Sequence, residues 1–307
     1  MRQNPVRHCT NRRRASCHIM ISLTFAVLLL GGCSSSSGQV GGTIDERFLQ
    51  HDPTKWIFST KHNTDPAFKS TAWGKDRVCV GNGLVITLMG CRHQQDCATP
   101  TRPFVAGEYQ SIDTYHYGQY FVRMKAAKGS GLVTGFFILY IAVDVSGQIT
   151  EHDEIDIEIL GKDTTKAQIN YYSNGKPLCE PQGATTYSTS CGQPSRSLGF
   201  DAATGYHDYI IDWQPTYIRW WWLPPTGLSI LSAPWEVLFT ADGTGMGIYE
   251  PPDGIPNSAG KVVFNLWASC TPTWAGPCTF SHPVSAYFDS VSYSNAGPNY
   301  NPNLAKE

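Results

Sequence analysis

Asp153-Glu154-Ile155-Asp156-Ile157-Glu158-Ile159-Leu160-Gly161 alternates acid with isoleucine. Successive side chains of a β-strand point to opposite faces. Ile155, Ile157 and Ile159 therefore share one face, and Glu154, Asp156 and Glu158 share the other. Buried β-branched residues on one side are what a sheet core needs. Three adjacent carboxylates on the other side repel one another and serve no packing purpose. The stretch is read as a half-buried strand that carries chemistry on its open face.

Outward from that strand the pattern repeats. Segments 84–89, 117–124, 132–143, 154–160, 167–172, 207–213, 217–222, 261–267 and 284–292 are short, apolar and rich in β-branched or aromatic residues. Asn-Gly, Pro-Thr-Gly and Asp-Gly turn signals separate several of them. Sustained 3.6-residue periodicity is absent, and no internal repeat is visible. One all-β domain, a sandwich or barrel, is expected. Residues 176–197 read as a polar, loop-like insertion. The composition agrees: 41% hydrophobic, 12% aromatic and 16% charged residues with 29 Gly and 20 Pro exclude a disordered chain, a coiled coil or a helical bundle.

The net charge of −2 conceals an asymmetry. Residues 1–32 hold Arg2, Arg7, Arg12, Arg13 and Arg14 and no acid, and the remaining 18 basic and 25 acidic residues give −7. A nucleic-acid partner calls for a basic field instead. The basic start is followed by an apolar run over 19–30 and then Leu30-Gly31-Gly32-Cys33. A basic n-region, a short apolar region and small residues before a cut describe an export signal. The run is short for a membrane span. The tetrapeptide is similar to a bacterial lipobox, which implies that Cys33 becomes a lipidated first residue. The alternatives are an ordinary signal peptide cut nearby or an uncleaved anchor. The expected organisation is a signal at 1–32, a Ser/Gly-rich tether at 33–46, a folded domain at 47–295 and a tail at 296–307. The implied location is the cell envelope, with Ser34 after the cysteine resembling outer-membrane sorting, or the medium.

Seven cysteines follow Cys33, and export implies that most pair. Cys179 with Cys191 and Cys270 with Cys278 each bracket a turn-rich loop. Cys79, Cys91 and Cys97 leave one over. No Cys-x-x-Cys spacing suggests zinc.

Two carboxyl groups on one face match the needs of glycosidic cleavage, in which one attacks or activates water while the other protonates the leaving oxygen. Residues i and i+4 of a strand lie about 13 Å apart at Cα. Long Glu side chains on a curved face could close that gap to the ~5–5.5 Å of a retaining enzyme. Asp156 between them can hydrogen-bond one carboxyl and raise the pKa of the other. A solvated acidic face or a set of calcium ligands is the bland alternative.

The stretch Glu154-Ile-Asp-Ile-Glu158-Ile-Leu-Gly-Lys162 to Asn170-Tyr-Tyr172-Ser-Asn-Gly175 resembles the active-site strand of family 16 glycoside hydrolases, bacterial lichenases above all. The resemblance continues through Gly107-Glu108-Tyr109, Asp212-Trp213-Gln214-Pro215 and Phe264-Asn265-Leu266-Trp267, and covers roughly residues 48–294. It implies a jelly roll of two curved antiparallel sheets with a substrate cleft on the concave face. By position it implies Glu154 as nucleophile, Asp156 as assisting carboxylate and Glu158 as acid/base. Glu108, Asn170, Tyr172, Asn265 and Trp267 match residues that contact glucose units, and Asp289 matches a structural calcium position. The implied partner is a β-glucan, with no organic cofactor and a monomeric enzyme.

Departures from that pattern are visible. His152 replaces a lichenase Trp and resembles plant xyloglucan-active members, which makes it a substrate-contact candidate. Gln110 stands where an Arg is usual, and Ala106 where a Cys is. Transglycosylation or exopolysaccharide depolymerisation remains a rival activity, and a non-catalytic glycan-binding lipoprotein is a more distant one. Outside this set, His207 reads as a strand-end imidazole. In Trp220-Trp221-Trp222 the faces alternate, and Trp235 and Trp274 read as sugar platforms or loop anchors.

Overall fold

The computed structural model of the chain describes residues 41–60, 70–90, 102–177, 195–223, 236–242, 254–281 and 283–295. Their strands, in chain order, begin with β1 (Ile44–Glu46), β2 (Trp56–Phe58), β3 (Thr71–Trp73), β4 (Val78–Val80), β5 (Leu84–Gly90) and β6 (Phe104–Ala106). Next come β7 (Glu108–Ser111), β8 (Gly118–Lys125), β9 (Leu132–Val143), β10 (Ile149–Leu160), β11 (Lys166–Ser173) and β12 (Lys176–Pro177). The last are β13 (Ser195–Ser197), β14 (His207–Gln214), β15 (Tyr217–Trp222), β16 (Glu236–Asp242), β17 (Lys261–Ala268) and β18 (Val284–Ser294). Among the described residues the only helical turn is a 3-10 turn at Lys75–Arg77.

Two sheets form a jelly-roll sandwich. One runs β16-β15-β14-β8-β18-β5-β6-β3, with β1 added to β18 and β4 to β5. The other runs β12-β11-β10-β9-β17-β7-β2, with β13 added to β11. Neighbours that are distant in sequence, such as β8 beside β18, are the mark of the topology. Pairing is antiparallel except for β3 with β6, which is parallel.

The core lies between the sheets. Ile155, Ile157 and Ile159 of β10 are at most 1% exposed, together with Phe136, Ile169, Tyr171, Phe264, Trp213 and Trp220. Each large apolar side chain removed from water contributes roughly 1.5–3 kcal/mol. The isoleucine stripe therefore fixes which face of β10 points inward, and a one-residue slip would bury the acids instead.

Three boundaries differ from the sequence expectation. The folded part begins before residue 47, because β1 pairs with β18 and Gly41 N–H donates to the Thr114 carbonyl. The acidic strand begins at Ile149. The ends of the 176–197 insertion are strands, β12 and β13, that both pair with β11. Cys270 and Cys278 form the expected disulfide. Cys79 is also disulfide-bonded. Cys33, Cys91, Cys97, Cys179, Cys191 and Trp235 lie outside the described residues.

Candidate active site

The open face of the second sheet is set by its registers. Glu154 is flanked by Tyr172 of β11 and Leu139 of β9, and beyond Leu139 by Lys261 of β17. The Asp156 row reads Asn170, Asp156, Phe137, Val263 and Gln110. The Glu158 row reads Gln168, Glu158, Gly135, Asn265 and Glu108. Rows are about 6.8 Å apart along the strands and neighbours about 4.8 Å apart across them. One face thus gathers the carboxylates with Glu108, Asn170, Tyr172, Asn265 and His152, all expected from sequence.

Electrostatics separates the three acids of β10. Asp156 is 5% exposed and hydrogen-bonds Glu154; burial, then the charges of Glu154 and Glu158, push its carboxyl well above the usual range. Glu158 is pushed up to about 8, first by burial and then by the charge of Glu154. A Glu158 carboxyl pushed up to about 8 beside Glu154 is a built arrangement for proton donation, and the Asp156 carboxyl is shifted in the same direction. Burial, followed by these acids, also raises the Tyr172 phenol.

The start of β10 is locked by the turn after β11. Asn174 and Gly175 have φ of 50° and 76°, both in the left-handed region, and they close a two-residue hairpin between Ser173 and Lys176. Asn and Gly tolerate that backbone at least cost. Asn174 N–H donates to Asp153 Oδ1 (2.9 Å) and Gly175 N–H to the His152 carbonyl (2.7 Å). The other Asp153 oxygen accepts the N–H groups of Asn257 (3.1 Å) and Ser258 (3.0 Å). His152 stacks on Tyr172, with centroids 4.6 Å apart and planes 20° apart, and its Nε2 is 2.6 Å from Glu154 Oε2.

On the far side of the face, Ser59 Oγ donates to Glu108 Oε1 (2.6 Å), Gln110 Nε2 donates to Ser59 Oγ (2.7 Å), and Asn265 Nδ2 reaches Glu108 Oε2 (3.4 Å). Burial raises the Glu108 carboxyl against the opposing effect of the Ser59 and Asn265 hydrogen bonds. Gly135 lies under this network. A Cβ there would stand 2.6 Å from Asn265 Oδ1, so only glycine lets the Asn265 amide lie across β9 toward Glu158. Asn265 Oδ1 and Asn170 Oδ1 are buried acceptors with no hydrogen-bond partner among the described residues. A ligand rich in hydroxyl groups would supply the missing donors.

Trp267 takes its expected place but shows only 5% of its surface. Trp274 lies 5.5 Å from it, centroid to centroid, and is partly exposed. Trp274 Nε1 donates to Gln168 Oε1 (2.7 Å), and its carbonyl accepts from Lys162 Nζ. The ring available at this end of the face is therefore Trp274, held by the loop that Cys270–Cys278 closes. His207 stacks on Phe200 and belongs to β14 of the other sheet. Trp220 and Trp222 are buried and Trp221 is turned outward.

Asp289 sits at a bulge of β18, 41% exposed at its side chain and 3.8 Å from Arg123 Nε. The partner that the structure shows for this carboxylate is the Arg123 guanidinium. Among the described residues no group of three or more His, Cys, Asp or Glu could hold a metal.

Sequence reading did not single out Gly135, Asp153, Ser59, Gln168 or Lys261. A glycine inside an otherwise apolar strand is a usable sign of close approach. The others depend on cross-strand register.

The model of the family "Glycosyl hydrolases family 16" matches residues 66–222. A Beta-glucanase of Bacillus amyloliquefaciens is 32% identical over 277 residues, covering 90% of this chain and 97% of that one. Two solved structures share the fold. A prokaryotic beta-1,3-1,4-glucanase (lichenase) derived from a mouse hindgut metagenome has a TM-score of 0.65 at 28% identity, over 83% of this chain and 100% of the other. The Bacillus licheniformis beta-glucanase has a TM-score of 0.63 at 30% identity, over 84% and 100%.

Proposed function

The chain belongs to glycosyl hydrolase family 16, and from that premise we propose that it is an endo-β-1,3-1,4-glucanase that works with retention of configuration. Glu154 attacks the anomeric carbon of a glucosyl unit while Glu158 gives its proton to the departing glycosidic oxygen. One C–O bond forms and one breaks, leaving a glycosyl ester on Glu154. Glu158, now a carboxylate, takes a proton from water, whose oxygen attacks the same carbon and frees Glu154. Asp156 keeps its own proton and donates it as a hydrogen bond to Glu154, which spaces the negative charge along the strand.

The observation that carries this reading is the division of labour on β10. Glu158 is pushed up to about 8 beside Glu154, so an acid and a nucleophile coexist near neutral pH. Glu108, Asn170, Tyr172, Asn265 and Trp274 would hold the sugar units on either side. The test is release of reducing ends from mixed-linkage β-glucan by the protein lacking residues 1–33. Glu154→Gln should abolish it. Redistribution of chain lengths onto an added acceptor, without new reducing ends, would mean transfer instead.

Arg-rich residues 1–14 and Leu30-Gly31-Gly32-Cys33 support an exported enzyme held to the envelope by lipid on Cys33. Cys33→Ala should release it from the membrane fraction. We take the folded unit to act as a monomer. Asp289 would hold a structural calcium only by exchanging Arg123 for the ion, which a calcium-dependent rise in melting temperature, lost in Asp289→Ala, would reveal.

A further inference from the structure

His152 occupies a position at which sequence suggests a sugar contact, yet its imidazole is engaged by the protein on two sides. Nε2 lies 2.6 Å from Glu154 Oε2, and the ring is stacked on Tyr172. Its backbone is pinned by Gly175, and the neighbouring Asp153 carboxylate accepts from Asn174, Asn257 and Ser258. Only 22% of the His152 side chain and 19% of that of Glu154 are exposed. A contact of 2.6 Å between a ring nitrogen and a carboxyl oxygen needs one proton between them. Glu154 must be a carboxylate to attack, so the imidazole is the donor.

We propose that His152 is a positioning residue for Glu154: its Nε2–H holds Oε2 and so sets how the carboxylate presents its other oxygen to the anomeric carbon. This rests on the hydrolase reading above and adds to it a residue that acts through the nucleophile. The His152 proton stays on nitrogen throughout. When the ester forms, Oε2 becomes its carbonyl oxygen and keeps the hydrogen bond. When water frees the sugar, the same bond stabilises the negative charge that returns to Glu154.

The groups that face this pair are few. Asp156 and Glu158 follow along β10, and Glu151 on the same strand is engaged by the Tyr140 hydroxyl at 3.0 Å. Tyr172 faces it from β11, and β9 contributes Leu139 and Ile141, which carry no charge. Lys261 of β17 lies in the Glu154 row, and Glu108 of β7 is close enough to feel the charge of Glu154.

The experiment compares His152→Phe, which can stack on Tyr172 but cannot donate, with His152→Gln, which can donate. His152→Phe should lower kcat by about 10- to 100-fold, the scale of one charge-assisted hydrogen bond. KM should change less than about twofold, and the acid limb of the pH–rate profile should move to higher pH. His152→Gln should recover most of the rate. A raised KM with unchanged kcat and pH profile would make His152 a sugar contact and overturn the proposal, as would a Gln variant no better than Phe. A second readout needs no substrate. The wild-type protein should show a downfield, exchange-protected imidazole N–H signal that disappears in Glu154→Ala. Its persistence there would overturn the pairing even if β-glucan hydrolysis is confirmed, and its loss would uphold the pairing even if the protein proves inactive on β-glucan.

Discussion

Trp220, wholly buried on β15 of one sheet, donates its indole N–H to the backbone carbonyl of Asp156, 2.9 Å away on β10 of the other. The central residue of the acidic strand is thus tied across the core to the opposite layer. Trp220→Phe keeps much of the packing and leaves that buried carbonyl without its indole donor. A loss of about 1–3 kcal/mol in stability is expected from the missing bond and the smaller ring. A fall in kcat larger than the change in KM should accompany it, measured by denaturant unfolding and steady-state kinetics.

Glu158 sets a pH window. Its carboxyl is pushed up to about 8, so the rate of glycosylation should fall as pH rises through about 8 and the acid loses its proton. The same shift acts on stability. Between about 4.5 and about 8 the native site holds a proton that the unfolded chain has released, so stability declines as pH rises through that interval. Glu158→Gln should therefore be more thermostable than wild type at pH 8 and show less advantage at pH 5, while being inactive at both.

Gly135 is required by a side chain two strands' width from the acid it serves. Gly135→Ala places a Cβ 2.6 Å from Asn265 Oδ1, displacing the amide that spans from Glu108 toward Glu158. Gly135 lacks a positive φ among the described residues, so the backbone itself accepts alanine. We expect kcat/KM to fall about tenfold with a melting temperature little changed, because one misplaced polar contact costs roughly 1.4 kcal/mol of transition-state binding.

Asp153 ties three backbone donors to the start of the acidic strand. Asp153→Ala leaves the N–H groups of Asn174, Asn257 and Ser258 without that acceptor and should cost about 2–4 kcal/mol. Asp153→Asn retains one acceptor oxygen and should fall between the two. Hydrogen exchange at those three amides, faster in the alanine variant, is the local check.

The acidic strand was legible because its period-two pattern is undisturbed and because its residues carry the family resemblance. The long strand β9 matches the segment expected at 132–143, since a continuous apolar run with a glycine inside still reads as buried sheet. Strands of three residues such as β1, β2 and β4 are too short to show any period, and β12 and β13 are polar segments whose pairing depends on β11. Ile149 to Glu151 escaped notice because this part of β10 is exposed and has no inward face to pattern. Trp267 and Trp274 show the limit for the site. The resemblance points to Trp267 and the loop-like sequence to Trp274, but only the fold decides that Trp274 is the more exposed of the two neighbouring rings. The His152–Glu154 contact joins residues two apart on one strand, a spacing visible in sequence, whereas its partner Tyr172 is supplied by register.

The most direct test of the central claim removes the nucleophile and offers another. Glu154→Ala should cleave no mixed-linkage β-glucan or activated aryl glucan, and added azide should restore turnover by attacking the anomeric carbon from the vacated side. The product should be a glycosyl azide of α configuration. Full activity of Glu154→Ala without azide, or a rescued product of β configuration, would contradict the assignment of Glu154 as the group that forms the covalent intermediate.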